Sequence, residues 1–482
     1  MSRLDLGVGL ALMPGLIDEL ERVADLVDCL EVEPQTFWWE TGDPDAPFRL
    51  DRDDVVGLTH RVDAVLVHGV TSPIGGSRRP GPFMVQLFAE TAELLGARLA
   101  SEHLAFNEAC SDDHGSPATA ATFSTAFFLP PRQTASGVEV AADAIHLFQA
   151  ALSTPFSIET PVSYLRPRAD EMDDGAYVAA VAERADCGIL LDLHNIWANQ
   201  RNGRQNAREY VDQLPLDRIW EVHLAGGFER HGYWLDAHSG GLHPELLALA
   251  DDVLPRLPAL RAVVYEILPE FVSQDGHDGL RCDLEAIQRL VAVSGRRRVA
   301  TPAPHIAPRT PPPAPNHEPR DGPDSWEQAL ATLSIGRSAD HAGQLGVELA
   351  DDPGIELLRE LVAAGRNGRV ASSLPLTTQL LLTSLGVDGV DDTFADYAAA
   401  TEPAMWGSDE GRRFAAWAQQ RFVDHPSILA ALRFDIAALD SVRTNHPATI
   451  EVEFEPLTFI ASIHDGRSTD DVPTGRFRVT VG

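Results

Sequence analysis

Short runs of branched apolar residues recur along the first 270 or so positions. The runs are LDLGVGL (4–10), CLEVE (29–33), AVLVH (64–68), LASEH (99–103), FSIE (156–159), GILLDLH (188–194), IWEVHL (219–224) and AVVYEI (262–267). Between them, GLIDELERVADLVD (15–28) and PFMVQLFAETAELLGARL (82–99) place apolar residues at i, i+3, i+4 and i+7, the spacing of a helix with one buried face. Strands alternating with helices read as repeated βα units. Eight of them in a segment of about 290 residues predict an α/β fold, a (β/α)8 TIM-type barrel over residues 1–297. A doubly wound sheet is the alternative, but no Gly-rich phosphate fingerprint follows the first strand.

The pattern stops at RVATPAPHIAPRTPPPAPNHEPRDGPD (298–324), which holds nine prolines and almost no large apolar side chain. Such a segment cannot bury enough surface to fold and is expected to be an extended linker. Beyond it, SWEQALATL, GIELLRELVAAG, LTTQLLLTSLG, FADYAAAT, GRRFAAWAQQRF and SILAALRFDIAALDSV read as short amphipathic helices, and ATIEVEFEPLTFIASI and GRFRVTVG read as strand. Residues 325–482 are therefore expected to form a mostly α, α+β domain.

Composition narrows the partners. A net charge of -34 argues against a nucleic-acid backbone and against an anionic membrane surface, and no apolar run approaches the length of a membrane span. The N-terminus carries no recognisable signal peptide. Cys29, Cys110, Cys187 and Cys282 are scattered with no C-x-x-C pair, which suits reduced thiols in a cytoplasmic protein. A metal site here must rely on His and carboxylates.

Those residues stand at the ends of the runs. The strands finish at His68 (VLVHGV), His103 (SEHLAF), Glu159 (SIETP), Asp192, His194 and Asn195 (LLDLHN), His223 (EVHLAGG) and Glu266 (VVYEIL). The loop after the seventh adds Asp236 and His238 (YWLDAHSGG). Asp192 and His194, two apart on one strand, are expected to project to the same side. In a barrel the C-terminal strand ends converge on one face. A lone His or Glu at such an end is commonly a hydrogen-bonded core residue, but with CLEVE, which closes on Glu33, seven of eight strands end this way. Uncompensated carboxylates gathered there are costly unless cations hold them. The donor set suits Fe, Mn or Zn and exceeds the needs of one ion, so two or three metal ions are expected. Glu31 and Glu33 alternate on the second strand, either beside the metals or simply hydrogen-bonded. Arg78, Arg79, Arg201 and Arg204 fall in loops after strands, placed for an anionic substrate or for solvent.

The motifs LGVGL, VHGV, SEHLAF, SIETPVSYL, LLDLHNIWAN, IWEVHLAGG and DAHS, in this order over residues 6 to about 272, resemble the multinuclear non-haem iron-dependent oxidative enzymes (MNIOs). The resemblance implies a TIM-type barrel holding two or three irons in a mixed-valent Fe(II)/Fe(III) set. By that resemblance His68, His103, Glu159, Asp192, His194, Asn195, His223, Asp236, His238 and Glu266 match the family's metal-binding motifs, and position 194 varies there between Asn and His. It also implies O2 as co-substrate and a ribosomally made precursor peptide as partner, modified at cysteine, with the thiolate on one iron and O2 on its neighbour. Gln35–Thr36, Thr160 and Ile267–Leu268 depart from the family pattern, which bears on substrate choice more than on metal binding. Family enzymes commonly work with a separate peptide-recognising protein, and residues 325–482 are a candidate for such a partner fused in cis. The residue pattern alone leaves two other readings: a Mn- or Zn-dependent isomerase or hydrolase, and a catalytically idle metal-bound scaffold. It leaves the oligomeric state open.

Overall fold

The computed structural model describes residues 4–43, 45–59, 62–111, 122–275, 277–300 and 321–482. Eight parallel strands close into a barrel: β1 (Gly7–Ala11), β2 (Cys29–Val32), β3 (Val65–Gly69), β4 (Ala100–His103), β5 (Phe156–Glu159), β6 (Gly188–Asp192), β7 (Ile219–Ala225) and β8 (Ala262–Glu266). Each pairs with its neighbours in sequence, and β8 closes on β1 with Gly7 opposite Ala262. Helices cross over between them, so the expected TIM-type barrel is the observed one.

Side chains alternate along each strand, and the inward rows change character from bottom to top. Cys29, Leu66, Leu99, Ala262 and Val264 pack in an apolar cluster inside the barrel. The inward positions that follow on the same rows are Glu31, His68, Ser101 then His103, and Glu266. Outward residues such as Ile189 and Leu191 pack with the helices in the main core.

The sixth strand is shorter than its apolar run. It stops at Asp192, whose carboxylate accepts the backbone N–H of Asn195 at 2.8 Å and opens the helix Leu193–Arg201. An N-cap of this kind satisfies a donor that the first helical turn leaves orphaned. His194 and Asn195 therefore lie on a helix and not on the strand, and the expected same-side projection of Asp192 and His194 does not arise from strand alternation.

Three antiparallel hairpins follow β2, β4 and β7, pairing Trp38–Asp43 with Ala46–Leu50, Phe106–Cys110 with Thr122–Leu129, and Gly227–Arg230 with Tyr233–Asp236. They rise at the mouth. The C-terminal region begins there too: Trp326, Leu330 and Leu333 on the helix Pro323–Ser334 share a core with Phe106, Phe123, Leu129, Tyr164 and Leu235. Trp326 Nε1 donates to the Pro130 carbonyl at 2.9 Å, and the Arg166 N–H donates to Asp352 at 2.9 Å.

The helix His277–Ala300 extends into the expected linker, whose residues 301–320 lie outside the described residues. A separate core built from Val370 to Val472 holds the rest of the C-terminal region. There the stretch expected as one strand divides into Ala448–Phe454 and the helix Pro456–His464. Glu455 caps that helix, accepting from the Thr458 N–H at 2.7 Å, and Pro456 takes its first position, where a missing N–H costs nothing. Among the described residues no single helix is long and apolar enough to cross a membrane.

Candidate metal centre

The strand ends form one cluster. His103 and Glu159 stand in register on β4 and β5, and Asp192 and His223 on β6 and β7. Glu159 Oε2 lies 3.2 Å from His68 Nε2 and 3.0 Å from His103 Nε2. His223 Nδ1 lies 3.0 Å from Glu266 Oε2 and 3.8 Å from Glu159 Oε1. Ligand atoms of His68, His103 and Glu159 fall within 4.8 Å of one another, as do those of Glu159, Asp192, His223 and Glu266. Glu159 belongs to both groups and bridges them.

The far side of each ring is fixed. His103 Nδ1 meets the Gly69 carbonyl at 2.9 Å, and His68 Nδ1 meets Ser101 Oγ at 2.8 Å. His223 Nε2 sits between both oxygens of buried Glu31, at 3.1 and 3.2 Å. A partner on the outer nitrogen sets the tautomer and aims the inner lone pair, as in metal-bound imidazoles. Of the two second-strand acids, Glu31 thus orients a ring. Glu33 lines the cavity above and accepts from Gln35 Nε2 at 2.6 Å.

Four other residues gather beside Glu266. His238 Nε2 lies 3.1 Å from Asp236 Oδ1 and 3.5 Å from Glu266 Oε2. The backbone of His238 is left-handed (φ 45°), a strained state for this residue that turns its ring back toward Asp236. Asn195 Nδ2 donates to the Thr160 carbonyl at 3.3 Å, leaving its Oδ1 unpartnered, and Asn195 lines the cavity. His194 behaves differently. Its Nε2 accepts the Trp234 indole N–H at 3.0 Å, and its Nδ1 faces Asp236 Oδ1 at 3.3 Å. A neutral ring that accepts at Nε2 carries its proton on Nδ1, so this geometry makes His194 a prop for Asp236. Gly227 permits it: a Cβ there would stand 2.7 Å from His194 Nε2.

Electrostatics agree with a site built for cations. Burial and the neighbouring Asp236 and Glu159 push the Asp192 carboxyl well above its usual range. Burial opposes ionisation of Glu159 too, yet His103 and His68 hold it well below that range. Burial opposes protonation of His238 but Glu266 and Asp236 outweigh it, raising the ring to about 10. His103 and His223 are raised well above normal by Glu159 and by Glu266 in the same way, against burial. The protein thus confines protons where positive charge is wanted. Seven residues leave a buried polar atom without a hydrogen bond: Glu159 Oε2, Asp192 Oδ2, His194 Nδ1, Asn195 Oδ1, His223 Nδ1, Asp236 Oδ1 and Glu266 Oε2. Their close contacts are with one another, ring nitrogen against carboxylate oxygen; so many buried polar atoms with no other partner are unusual for a finished core, and a set of imidazole and carboxylate donors fits transition-metal ions.

A cavity of about 420 Å³ opens above the cluster, lined by His68, His103, Glu159, Asp236, His238 and Glu266. Phe127, Phe128, Val162, Leu268 and Met405 make its apolar wall, and Phe128 stacks on His103 with centroids 4.2 Å apart. Sequence reasoning missed several members. Glu221, two residues before His223 on the same inward row, is buried with both oxygens unpartnered, near Glu31; strand alternation could have found it. Arg369 and Met405, from the C-terminal region, line the cavity with no local signal to mark them. The four arginines singled out by position do not line it. Arg204 is held by Asp174 at 3.0 Å, Arg79 by Asp143 at 2.5 Å, and Arg201 faces Glu245 at 3.5 Å, while Arg78 lines a neighbouring pocket.

Residues 7–268 match the model of a protein family described as RiPP precursor modification enzyme MbnB/TglH/ChrH, RiPP denoting a ribosomally synthesised and post-translationally modified peptide. Curated relatives include a UPF0276 protein of Streptomyces avermitilis, 30% identical over 52% of this chain and 49% of its own length. Another, from Chromobacterium violaceum, is 26% identical over 52% of this chain and 87% of its own. The match thus spans about half the length of the first relative. Among solved structures, a xylose isomerase domain protein from Planctomyces limnophilus is similar at 15% identity and TM-score 0.39, covering 61% of this chain and 100% of that one.

Proposed function

The chain belongs to the MbnB/TglH/ChrH family of RiPP precursor modification enzymes, and on that premise we propose that it is an O2-dependent multinuclear non-haem iron oxidase acting on a precursor peptide at cysteine. The observation that carries the reading is the convergence of buried imidazole and carboxylate donors at the barrel mouth: Glu159, Asp236 and Glu266, each with an oxygen lacking a hydrogen bond, line the cavity, and Asp192 and His223 lie buried within reach of Glu159 and Glu266. His68, His103 and Glu159 would hold one ion, and Glu159, Asp192, His223 and Glu266 a second. Asn195, Asp236 and His238 would hold a third, braced by His194. Bound iron, two or three ions in a mixed-valent Fe(II)/Fe(III) set, would supply the redox chemistry and neighbouring sites for a thiolate and O2.

The chain's own residues do the rest. Gly69 and Ser101 hold the outer nitrogens of His103 and His68, and Glu31 holds the outer nitrogen of His223, so the rings keep their aim. Phe127, Phe128, Val162, Leu268 and Met405 exclude water from the space where peptide and O2 meet. In this reading residues 325–482 recognise the peptide in cis, raising its local concentration at the barrel, and the free cysteines belong to a cytoplasmic enzyme.

The test is anaerobic isolation of the full chain, iron counting with Mössbauer and EPR spectra, and O2 uptake with a precursor peptide encoded beside its gene. Two to three irons per chain and peptide-dependent O2 consumption are expected. Zinc alone without O2 uptake would sink the oxidase and favour a hydrolase, an isomerase or an idle scaffold.

A further inference from the structure

The cavity over the cluster is lined by four carboxylates, Glu33, Glu159, Asp236 and Glu266, and by a single arginine, Arg369, with no lysine among its described residues. Arg369 comes from outside the barrel, on the helix Gly354–Ser373, one turn beyond Arg366. Arg366 is buried and fully engaged: Nε donates to Glu410 Oε1 at 2.6 Å, Nη1 to the Thr401 carbonyl at 2.9 Å, and Nη2 to the Glu402 carbonyl at 3.0 Å. Glu410 is equally committed. It also accepts from the Tyr397 hydroxyl at 2.6 Å and from the Ala404 N–H at 2.6 Å.

Two arginines thus share one carboxylate, and Arg366 takes it. Arg369 is left with Nε and Nη2 sealed from solvent and without a hydrogen-bond partner among the described residues. Burial, aided by Arg366 and opposed by Glu410, pulls its pKa below the ordinary arginine value. The side chain as a whole is only partly buried and lines the cavity, where it offers a planar, positively charged donor group suited to a carboxylate. No protein acceptor among the described residues is hydrogen-bonded to its Nε and Nη2, so a ligand carboxylate is a natural partner where the side chain lines the cavity.

We infer that Arg369 is a subsite for a carboxylate of the substrate, held while the reacting residue lies over the metal cluster. The inference rests on the peptide-modifying reading above. The cavity of about 420 Å³ falls in the size range of small-ligand sites, so the carboxylate stands close in sequence to the reacting residue. It is either an acidic side chain or the chain terminus. The C-terminal region thereby contributes a specificity-determining residue to the barrel's own site, which a barrel alone lacks.

Calorimetric titration of the zinc-loaded full chain, which binds without turnover, separates the possibilities. The probes are two pairs: acetyl-Cys-Gly against its C-terminal amide, and acetyl-Cys-Asp-amide against acetyl-Cys-Asn-amide. One acid is expected to bind about tenfold to a hundredfold tighter than its neutral mate, and the pair that responds identifies the terminus or the side chain. Arg369→Gln should bring that ratio to within about twofold, and Arg369→Lys should keep part of it, with zinc content and melting temperature unchanged in both. A countercharge serving only the cavity carboxylates would leave acid and amide bound alike, and that result overturns the inference, as does absence of binding by all four probes. Replacing Cys by Ala in the probes distinguishes the two readings. Acid preference that survives it with the absolute affinities unchanged retains Arg369 and sinks the thiol reading. Thiol dependence without acid preference does the reverse.

Discussion

Single residues at the mouth divide into those that would donate to an ion and those that aim the donors, and the division was only partly legible. A carboxylate or imidazole at the end of an apolar run is a strong signal, because burial there needs compensation; His68, His103, Glu159, Asp192, His223 and Glu266 all met in space as their positions implied. His194 carried the same signal and has another arrangement, because its environment is set by Trp234, forty positions away, which no local pattern reveals. Two outcomes follow at this scale. His194→Ala should keep the full metal count at saturating metal while weakening one ion about 10- to 100-fold, whereas His103→Ala should lose an ion, both read by metal titration with elemental analysis. A full ion lost from His194→Ala would make its Nδ1 a ligand. Proton bookkeeping gives the second. In the metal-free protein His238 stays protonated up to about 10, His103 and His223 well above the usual histidine range, and Asp192 well above the carboxylate range. Metal must displace these protons, so loading near pH 7.5 should release about two or more per chain and weaken as pH falls. Calorimetry in buffers of different ionisation enthalpy measures that number, and release of none would remove the electrostatic account of the cluster.

Elements were legible where period and chemistry agreed. The eight barrel strands showed as apolar runs because parallel strands are buried on both faces. Their ends were less clear: Leu193 continues the apolar run past Asp192, and only the capping bond at Asn195 marks the switch to helix. The three hairpins carry mixed, half-exposed sequences and gave no periodic signal. The helix Pro323–Ser334 was legible as a helix, but its docking was not, since that depends on Glu327 meeting a loop 250 positions away. Buried Glu327 accepts the Ser77 N–H at 2.7 Å and is hydrogen-bonded by the Ser77 hydroxyl. Burial raises its carboxyl to about 8, more than the Ser77 bonds lower it. A folded-state pKa above the unfolded one, about 4.3, means the native state binds the extra proton between the two. Its stability contribution is complete below about pH 4.3 and is lost as pH rises through 8. The wild type should therefore lose up to about 1.4 kcal/mol per pH unit from this group between roughly pH 5 and 8. Glu327→Gln should flatten that window and melt higher than the wild type at pH 8.5. Parallel melting curves for the two proteins across the window would discard this assignment.

For the molecule as a whole, the proline-rich stretch suggested two units joined by a tether, and the described residues add a consequence that composition could not carry. Phe106, Phe123, Leu129, Tyr164, Leu165 and Leu235 belong to the barrel's loops, yet their core is completed by Trp326, Leu330, Leu333, Leu345, Leu349 and Leu358. A long linker is compatible with a closely docked partner because closing a longer loop costs little more than closing a short one. Each large apolar side chain fully stripped of its cover forfeits roughly 1.5–3 kcal/mol, comparable in sum to the whole stability of an ordinary domain. A barrel ending at residue 300 should therefore be poorly soluble or melt more than 10 °C below the full chain, by an amount in line with the loss of several kcal/mol, and should bind a hydrophobic dye. Supplying residues 321–482 as a separate chain should restore solubility and melting temperature if docking needs no tether. A truncated barrel that melts like the full chain would mean that the shared core adds no stability. Loss of peptide modification on truncation could then be assigned to recognition alone, and not to a collapsed mouth.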